Sequence, residues 1–186
     1  METPQAQYGS DNTGVPYPSI PPLIDSRETE YRGTGITSSV AILGHPIHPI
    51  IVIFPIAFLS TVAATDLGYW LTKGEFWSQA STWLLGTGLL SGIAAAAIGI
   101  LDFIRIPRVR NRRAGWAHMW LNVAVLLLTV VNFVLRLTRS NAVILPVGLG
   151  LSLVVATLLL ASGWYGGELT FRHKVGIVGP DETHLS

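Results

Sequence analysis

Four histidines, His45, His48, His118 and His173, and two carboxylates, Asp102 and Glu168, are the side chains here whose types suit them to chemistry. Neutral imidazoles ligate transition metals and haem iron, and a carboxylate beside them completes a coordination sphere or orients a ring N–H. A plainer role is also open to them. Histidines are at home at a membrane interface, and His45-Pro46-Ile47-His48-Pro49 reads equally well as a rigid start to a helix. The fifth histidine, His184, stands apart near the C-terminus. With no cysteine there is no disulfide framework, iron–sulfur cluster or thiolate zinc site. No nucleophile has a base beside it, and there is no phosphate-binding glycine loop or nucleotide fold, so neither a hydrolase nor an ATP-driven transporter is expected, nor a stand-alone enzyme.

The elements that must position these residues are transmembrane helices. Hydrophobic residues make up 49% of the 186, charged residues only 12%, and the mean hydropathy is +0.49. Gly33 to Thr65, Phe76 to Leu101, Gly115 to Leu135 and Ser140 to Gly167 contain no Lys, Arg, Asp or Glu. Each is long enough to hold the ~20 apolar residues that cross a hydrocarbon core. The expectation is an all-α integral membrane four-helix bundle, with helices at about 48–71, 78–104, 117–137 and 142–171 inside a domain of residues 39–174. Residues 1–38 read as a disordered or surface-lying tail without the pattern of a signal peptide, and residues 175–186 as a C-terminal tail. Pro49 falls in the first turn of the first helix, whereas Pro55 should kink it.

Orientation follows from the basic residues. Arg105, Arg108, Arg110, Arg112 and Arg113 crowd the loop between the second and third helices, which should stay cytoplasmic. With four spans both termini share that side, adding Arg27, Arg32, Arg172 and Lys174, against Lys73, Arg136 and Arg139 opposite. This N-in/C-in arrangement in a bacterial inner (plasma) or photosynthetic membrane gathers the four histidines, Asp102 and Glu168 at the cytoplasmic end. The arginine loop is read as a topology signal that touches anionic headgroups. Trp70, Trp77 and Trp83 at one interface and Trp116 and Trp120 at the other suit anchoring belts.

Two packing signals complete the picture. Gly88 and Gly92, continued by Ala95 and Gly99, make a small-residue side along the second helix that admits a neighbouring backbone. On the third helix, at ~100° per residue, His118, Asn122, Thr129, Asn132 and Arg136 fall within about 40° of one line. That stripe should face the bundle interior, with Arg136 meeting Asp66 of the first helix as a structural pair. One polar stripe on one helix argues for a closed bundle rather than an aqueous pore.

Gly44-His45-Pro46-Ile47-His48-Pro49, Phe54-Pro55-Ile56-Ala57, Asp102, His118 with Asn122, Gly166-Gly167-Glu168-Leu169, Arg172-His173 and Val175-Gly176 together resemble a bacterial family of predicted four-helix membrane proteins, a domain of unknown function. The resemblance spans about Val40 to Val178. In that family a further histidine commonly precedes the Phe-Pro pair, where this chain has Ile53. Family members resemble small b-type cytochromes in architecture, and some are joined to Rieske-type or cytochrome-type modules, which implies membrane electron transfer. Carried over, the matching positions are His45, His48, His118 and His173, with Asp102, Asn122 and Glu168 in supporting roles.

Three readings stand. In the first, two of the four histidines, His118 with His48 or His173, ligate one b-type haem whose propionates meet arginines near the interface. In the second, His48, His118, His173 and Asp102 or Glu168 hold a non-haem transition metal. In the third there is no cofactor, and the chain is a structural or assembly subunit. The lipid bilayer is the expected partner in all three, with a redox or membrane-complex partner besides. Nothing points to nucleic acid, and the oligomeric state is left open.

Overall fold

The computed structural model describes residues 35–139 and 144–177. Most of both expected tails, with Arg27, Arg32 and His184, lies outside the described residues. Four helices are long and apolar enough to cross a membrane: Ile47–Thr72, Glu75–Arg105, Arg113–Arg139 and Ile144–Arg172. The fold is an all-α bundle of these four. Its apolar side chains point outward as well as inward: Trp83, Leu90 and Leu160 are 76%, 73% and 78% exposed. Such a surface is stable in hydrocarbon, not in water.

The chain enters through a two-residue hairpin, β1 (Ala41–Ile42) antiparallel to β2 (His45–Pro46). Its turn residues Leu43 and Gly44 both have positive φ, 51° and 78°, as a tight twisted hairpin demands. The first span follows as α1 (Ile47–Ile51) and α2 (Ile53–Thr72), interrupted at Val52. The interruption lies about one turn before Pro55, whose ring crowds the carbonyl four residues back and whose nitrogen cannot bond it. The second span is α3 (Glu75–Arg105), joined through a short α4 (Pro107–Arg110) to α5 (Arg113–Arg139), the third. The fourth combines a π-helical turn (Ile144–Gly148), α6 (Leu149–Gly167) and a second π-helical turn (Glu168–Arg172). A parallel bridge ties Ile36 to Val175, through Ile36 N–H to the Lys174 carbonyl at 2.9 Å and Gly176 N–H to the Ile36 carbonyl at 2.7 Å.

Inside, Leu59, Val62, Leu85, Val125, Val155 and Leu159 form the core. The small-residue side of α3 packs closely against side chains of both α2 and α5: a Cβ on Gly88 would come 2.5 Å from Leu59 Cδ2, and one on Gly92 would come 2.9 Å from Leu126 Cδ2, so a larger residue at either place would make those leucines shift.

The buried positions repeat. On α2 and α5 they fall in pairs 70 positions apart: Pro55 and Val125, Leu59 and Thr129, Val62 and Asn132, Asp66 and Arg136. On α3 and the fourth span they recur 67 apart: Ser81 and Gly148, Leu85 and Ser152, Gly88 and Val155, Gly92 and Leu159, Ala95 and Ser162. Packing follows the same rule, since α2 rests on α3 and α6 while α5 rests on α6 and α3. The bundle is thus two similar helical hairpins related by an approximate two-fold rotation along its axis.

Candidate functional site

His48 and His118 are one such equivalent pair, 70 positions apart at the starts of the first and third spans. Each ring lies on a glycine of the neighbouring helix. A Cβ on Gly99 would come 2.7 Å from His48 Cε1, and one on Gly166 would come 3.0 Å from His118 Cε1. Each ring also donates to the carbonyl four residues before that glycine: His48 Nδ1 to Ala95 O at 3.0 Å and His118 Nδ1 to Ser162 O at 2.9 Å. A carbonyl oxygen only accepts, so both Nδ1 atoms carry the proton and both Nε2 atoms keep a lone pair.

The two rings meet across the bundle with centroids 6.3 Å apart and planes at 87°. His48 Nε2 has no hydrogen-bond partner among the described residues. His118 Nε2 is 3.2 Å from Asn122 Nδ2, which also reaches Ser162 Oγ and the His118 carbonyl, each at 2.7 Å.

The other residues of the expected cluster are placed elsewhere at the same end. The His45 ring stays on the exposed hairpin, bonded to the Leu43 carbonyl at 2.9 Å. Asp102 accepts from Ser38 Oγ at 2.7 Å and from the Ser39 N–H and hydroxyl at 2.6 Å each, anchoring the chain just before β1. Glu168 and His173 pair with each other at 3.7 Å, and the His173 carbonyl accepts from Arg108 at 3.3 Å. Among the described residues no group of three His, Cys, Asp or Glu side chains is placed to hold a metal ion. The mixed set of His48, His118, His173 and Asp102 or Glu168 is therefore not assembled. A common depth brings residues to one end of a bundle but does not by itself bring their side chains together.

His173 is buried, and its Nδ1 has no hydrogen-bond partner among the described residues. Burial, more than the neighbouring Arg112 and Arg108 cations, lowers its pKa below the ordinary histidine value, while Glu168 opposes the shift. The imidazole is accordingly neutral at pH 7.

At the far end the stripe on α5 turns inward, and Arg136 meets Asp66. Arg136 NH1 donates to Asp66 Oδ1 at 2.9 Å and NH2 to Oδ2 at 2.7 Å, a bidentate pair. The carboxylate also accepts from Ser152 Oγ at 2.6 Å and from Ser81 Oγ, and Arg136 Nε donates to Asn132 Oδ1 at 3.0 Å. Asp66 is 0% and Arg136 6% exposed.

Sequence reasoning passed over Ser81, Ser152 and Ser162, which complete these networks. No motif marks a lone serine in an apolar helix. The signal available was the repeat, since Ser162 falls at the position of Ala95 and Ser152 at that of Leu85.

No curated protein and no solved structure matches the chain. A family model described as a predicted membrane protein matches residues 44–179, from the hairpin glycine beside His45 to beyond the last described residue. With four membrane-length helices inside that match, the chain belongs to the DUF2231 family of predicted membrane proteins.

Proposed function

We propose that this chain is a bacterial membrane haem protein in which His48 and His118 are the axial ligands of one b-type haem, and that it carries single electrons between redox partners. One observation carries the reading: two equivalent imidazoles meet edge to face across the bundle, each with Nδ1–H fixed to a backbone carbonyl, which leaves Nε2 as the nitrogen able to ligate. Ligating histidines characteristically donate their second nitrogen in this way, which fixes the tautomer and raises the basicity of the ligand.

The donor set fits haem better than a bare ion. A porphyrin brings four nitrogens of its own and asks the protein for two axial ligands, whereas a bare transition metal asks for three or four. His48 and His118, whose ring centroids lie 6.3 Å apart, are the residues that would hold the group. When bound, the group would supply one-electron redox chemistry at iron. The protein's contribution is positional: Gly99 and Gly166 receive the rings, and Ala95 and Ser162 hold their tautomers. Asn122 already bonds Ser162 Oγ, so it has a partner to keep when it releases His118 Nε2.

The end that carries these histidines we place on the cytoplasmic side of a plasma or photosynthetic membrane, on the strength of nine basic residues there against three opposite. The same hydrogen bonds would fasten α1 to α3 and α5 to α6 in a purely structural subunit. An absorption spectrum separates the two readings. The purified full-length protein, supplied with haem during expression, should show a Soret band, with sharp α and β bands after dithionite reduction. His48→Ala and His118→Ala should each abolish it, while His45→Ala and His173→Ala should not. A featureless spectrum, or loss confined to the His173 variant, overturns the proposal.

A further inference from the structure

Away from the facing histidines, a pocket of about 370 Å3 opens where α5 begins and the fourth span ends. Asn111, Arg112, Arg113, Glu168, Arg172 and His173 line it. Among these lining residues three guanidiniums stand against one carboxylate, and the neutral His173 ring adds no charge of its own. Guanidiniums match the bidentate geometry of phosphate oxygens better than any other side chain. The 27-residue α5 starts at Arg113, so its positive dipole end adds to the same field. His173, whose side chain is only 8% exposed, lines the pocket as a buried ring whose Nδ1 has no hydrogen-bond partner among the described residues. Apolar and charged surfaces meet here: Trp116, one turn into α5, is 44% exposed, and Phe171 beside Arg172 is 78% exposed. The pocket thus lies at the level where headgroups are found.

We propose that this pocket binds a phosphate group, contributed either by the headgroup of an anionic lipid or by free phosphate. Arg112, Arg113 and Arg172 receive its oxygens, and Asn111 donates through its amide. Glu168 opposes the anion and so keeps binding reversible. The site is independent of the facing histidines and stands whether or not they hold haem.

The test measures thermal unfolding of the full-length protein in two settings. In a neutral detergent it is titrated with inorganic phosphate; in nanodiscs, pure phosphatidylcholine is compared with phosphatidylcholine containing phosphatidylglycerol. Saturable stabilisation by inorganic phosphate identifies the free ion as ligand. Stabilisation confined to phosphatidylglycerol discs identifies the lipid headgroup. In either setting Arg112→Gln/Arg113→Gln/Arg172→Gln should weaken binding at least tenfold and Glu168→Gln should tighten it. Arg105→Gln/Arg110→Gln, which removes charge from the same loop outside the pocket, should leave it unchanged. If the triple variant does not fold in phosphatidylcholine discs, the three single variants replace it, each with a smaller loss. No stabilisation in either setting, or equal loss in the Arg105/Arg110 control, overturns the proposal.

Discussion

The two ends of the bundle place equivalent pairs of side chains at equivalent positions and use them in opposite ways. At one end the pair is Asp66 and Arg136, unlike charges that saturate each other and draw in Ser81, Ser152 and Asn132. At the other it is His48 and His118, two like rings that do not bond each other, each tied to a backbone carbonyl through one nitrogen. A buried network with every strong donor and acceptor satisfied has nothing left to offer a ligand, and holds helices in register. The histidine pair keeps capacity to spare, because His48 Nε2 has no partner among the described residues and His118 Nε2 has only the neutral Asn122 amide.

The widest separation between the two ends should appear when the charged pair is broken. Asp66→Leu leaves a guanidinium buried without its anion, and should cost about 3–5 kcal/mol in unfolding from mixed micelles. Asp66→Leu/Arg136→Leu should recover most of that loss, because an apolar pair of similar volume needs no partner. That double variant should also leave any haem spectrum unaltered, since the charged pair lies at the other end of the spans. If the double variant is as unstable as the single one, or loses the spectrum, the division of labour between the ends is wrong.

Smaller effects are expected at the notches. Gly99→Ala forces the His48 ring away from a Cβ that would come 2.7 Å from it, and Gly166→Ala does the same to His118 at 3.0 Å. Overpacking of this kind costs about 1–3 kcal/mol, and Gly99→Ala should be the worse of the two. Removing a ring by His48→Ala or His118→Ala should cost about 1 kcal/mol for each lost hydrogen bond in cofactor-free protein. His118→Ala should cost more, because the His118 ring also bonds Asn122 Nδ2 through Nε2 whereas His48 makes one such bond. Unfolding curves of the four variants, taken without haem, read both comparisons.

The contrast between the ends also marks where the sequence is legible. Four spans, and the meeting of Asp66 with Arg136, follow from charge alone: a lone ion in an apolar helix must find its counter-ion, and each had one candidate at its depth. The division of the histidines does not follow. Depth is written in residue number along a helix, whereas grouping depends on azimuth and on how the helices pack. Asp102 illustrates this. At the end of α3 it looks like a ligand, yet its partners are Ser38 and Ser39, which lie more than sixty residues earlier in a polar stretch with no helical period to place them. The glycine side of α3 could be read as a close-packing surface, but that Gly99 receives His48 required the structure.

The smallest effect concerns His173, at the same end of the bundle as the facing rings but away from them and outside the spans, and its sign can be derived. Burial lowers its pKa below the ordinary value of about 6.5, with Arg112 and Arg108 acting in the same direction and Glu168 against. As pH falls, the unfolded chain therefore takes up this proton before the folded protein does. Stability from this group is complete above about pH 6.5 and declines below it, until the folded protein also protonates. The slope in that window cannot exceed one proton. His173→Gln, which titrates nothing, should remove that part of the decline, seen as a flatter profile of unfolding midpoint between neutral and mildly acidic pH. Removing the carboxylate instead, with Glu168→Gln, should deepen the decline, because that carboxylate is what favours the protonated ring in the folded state. A wild-type profile unchanged by either substitution would mean that the buried imidazole reaches solvent or finds a proton acceptor, and that the wall of the cationic pocket is softer than its packing implies.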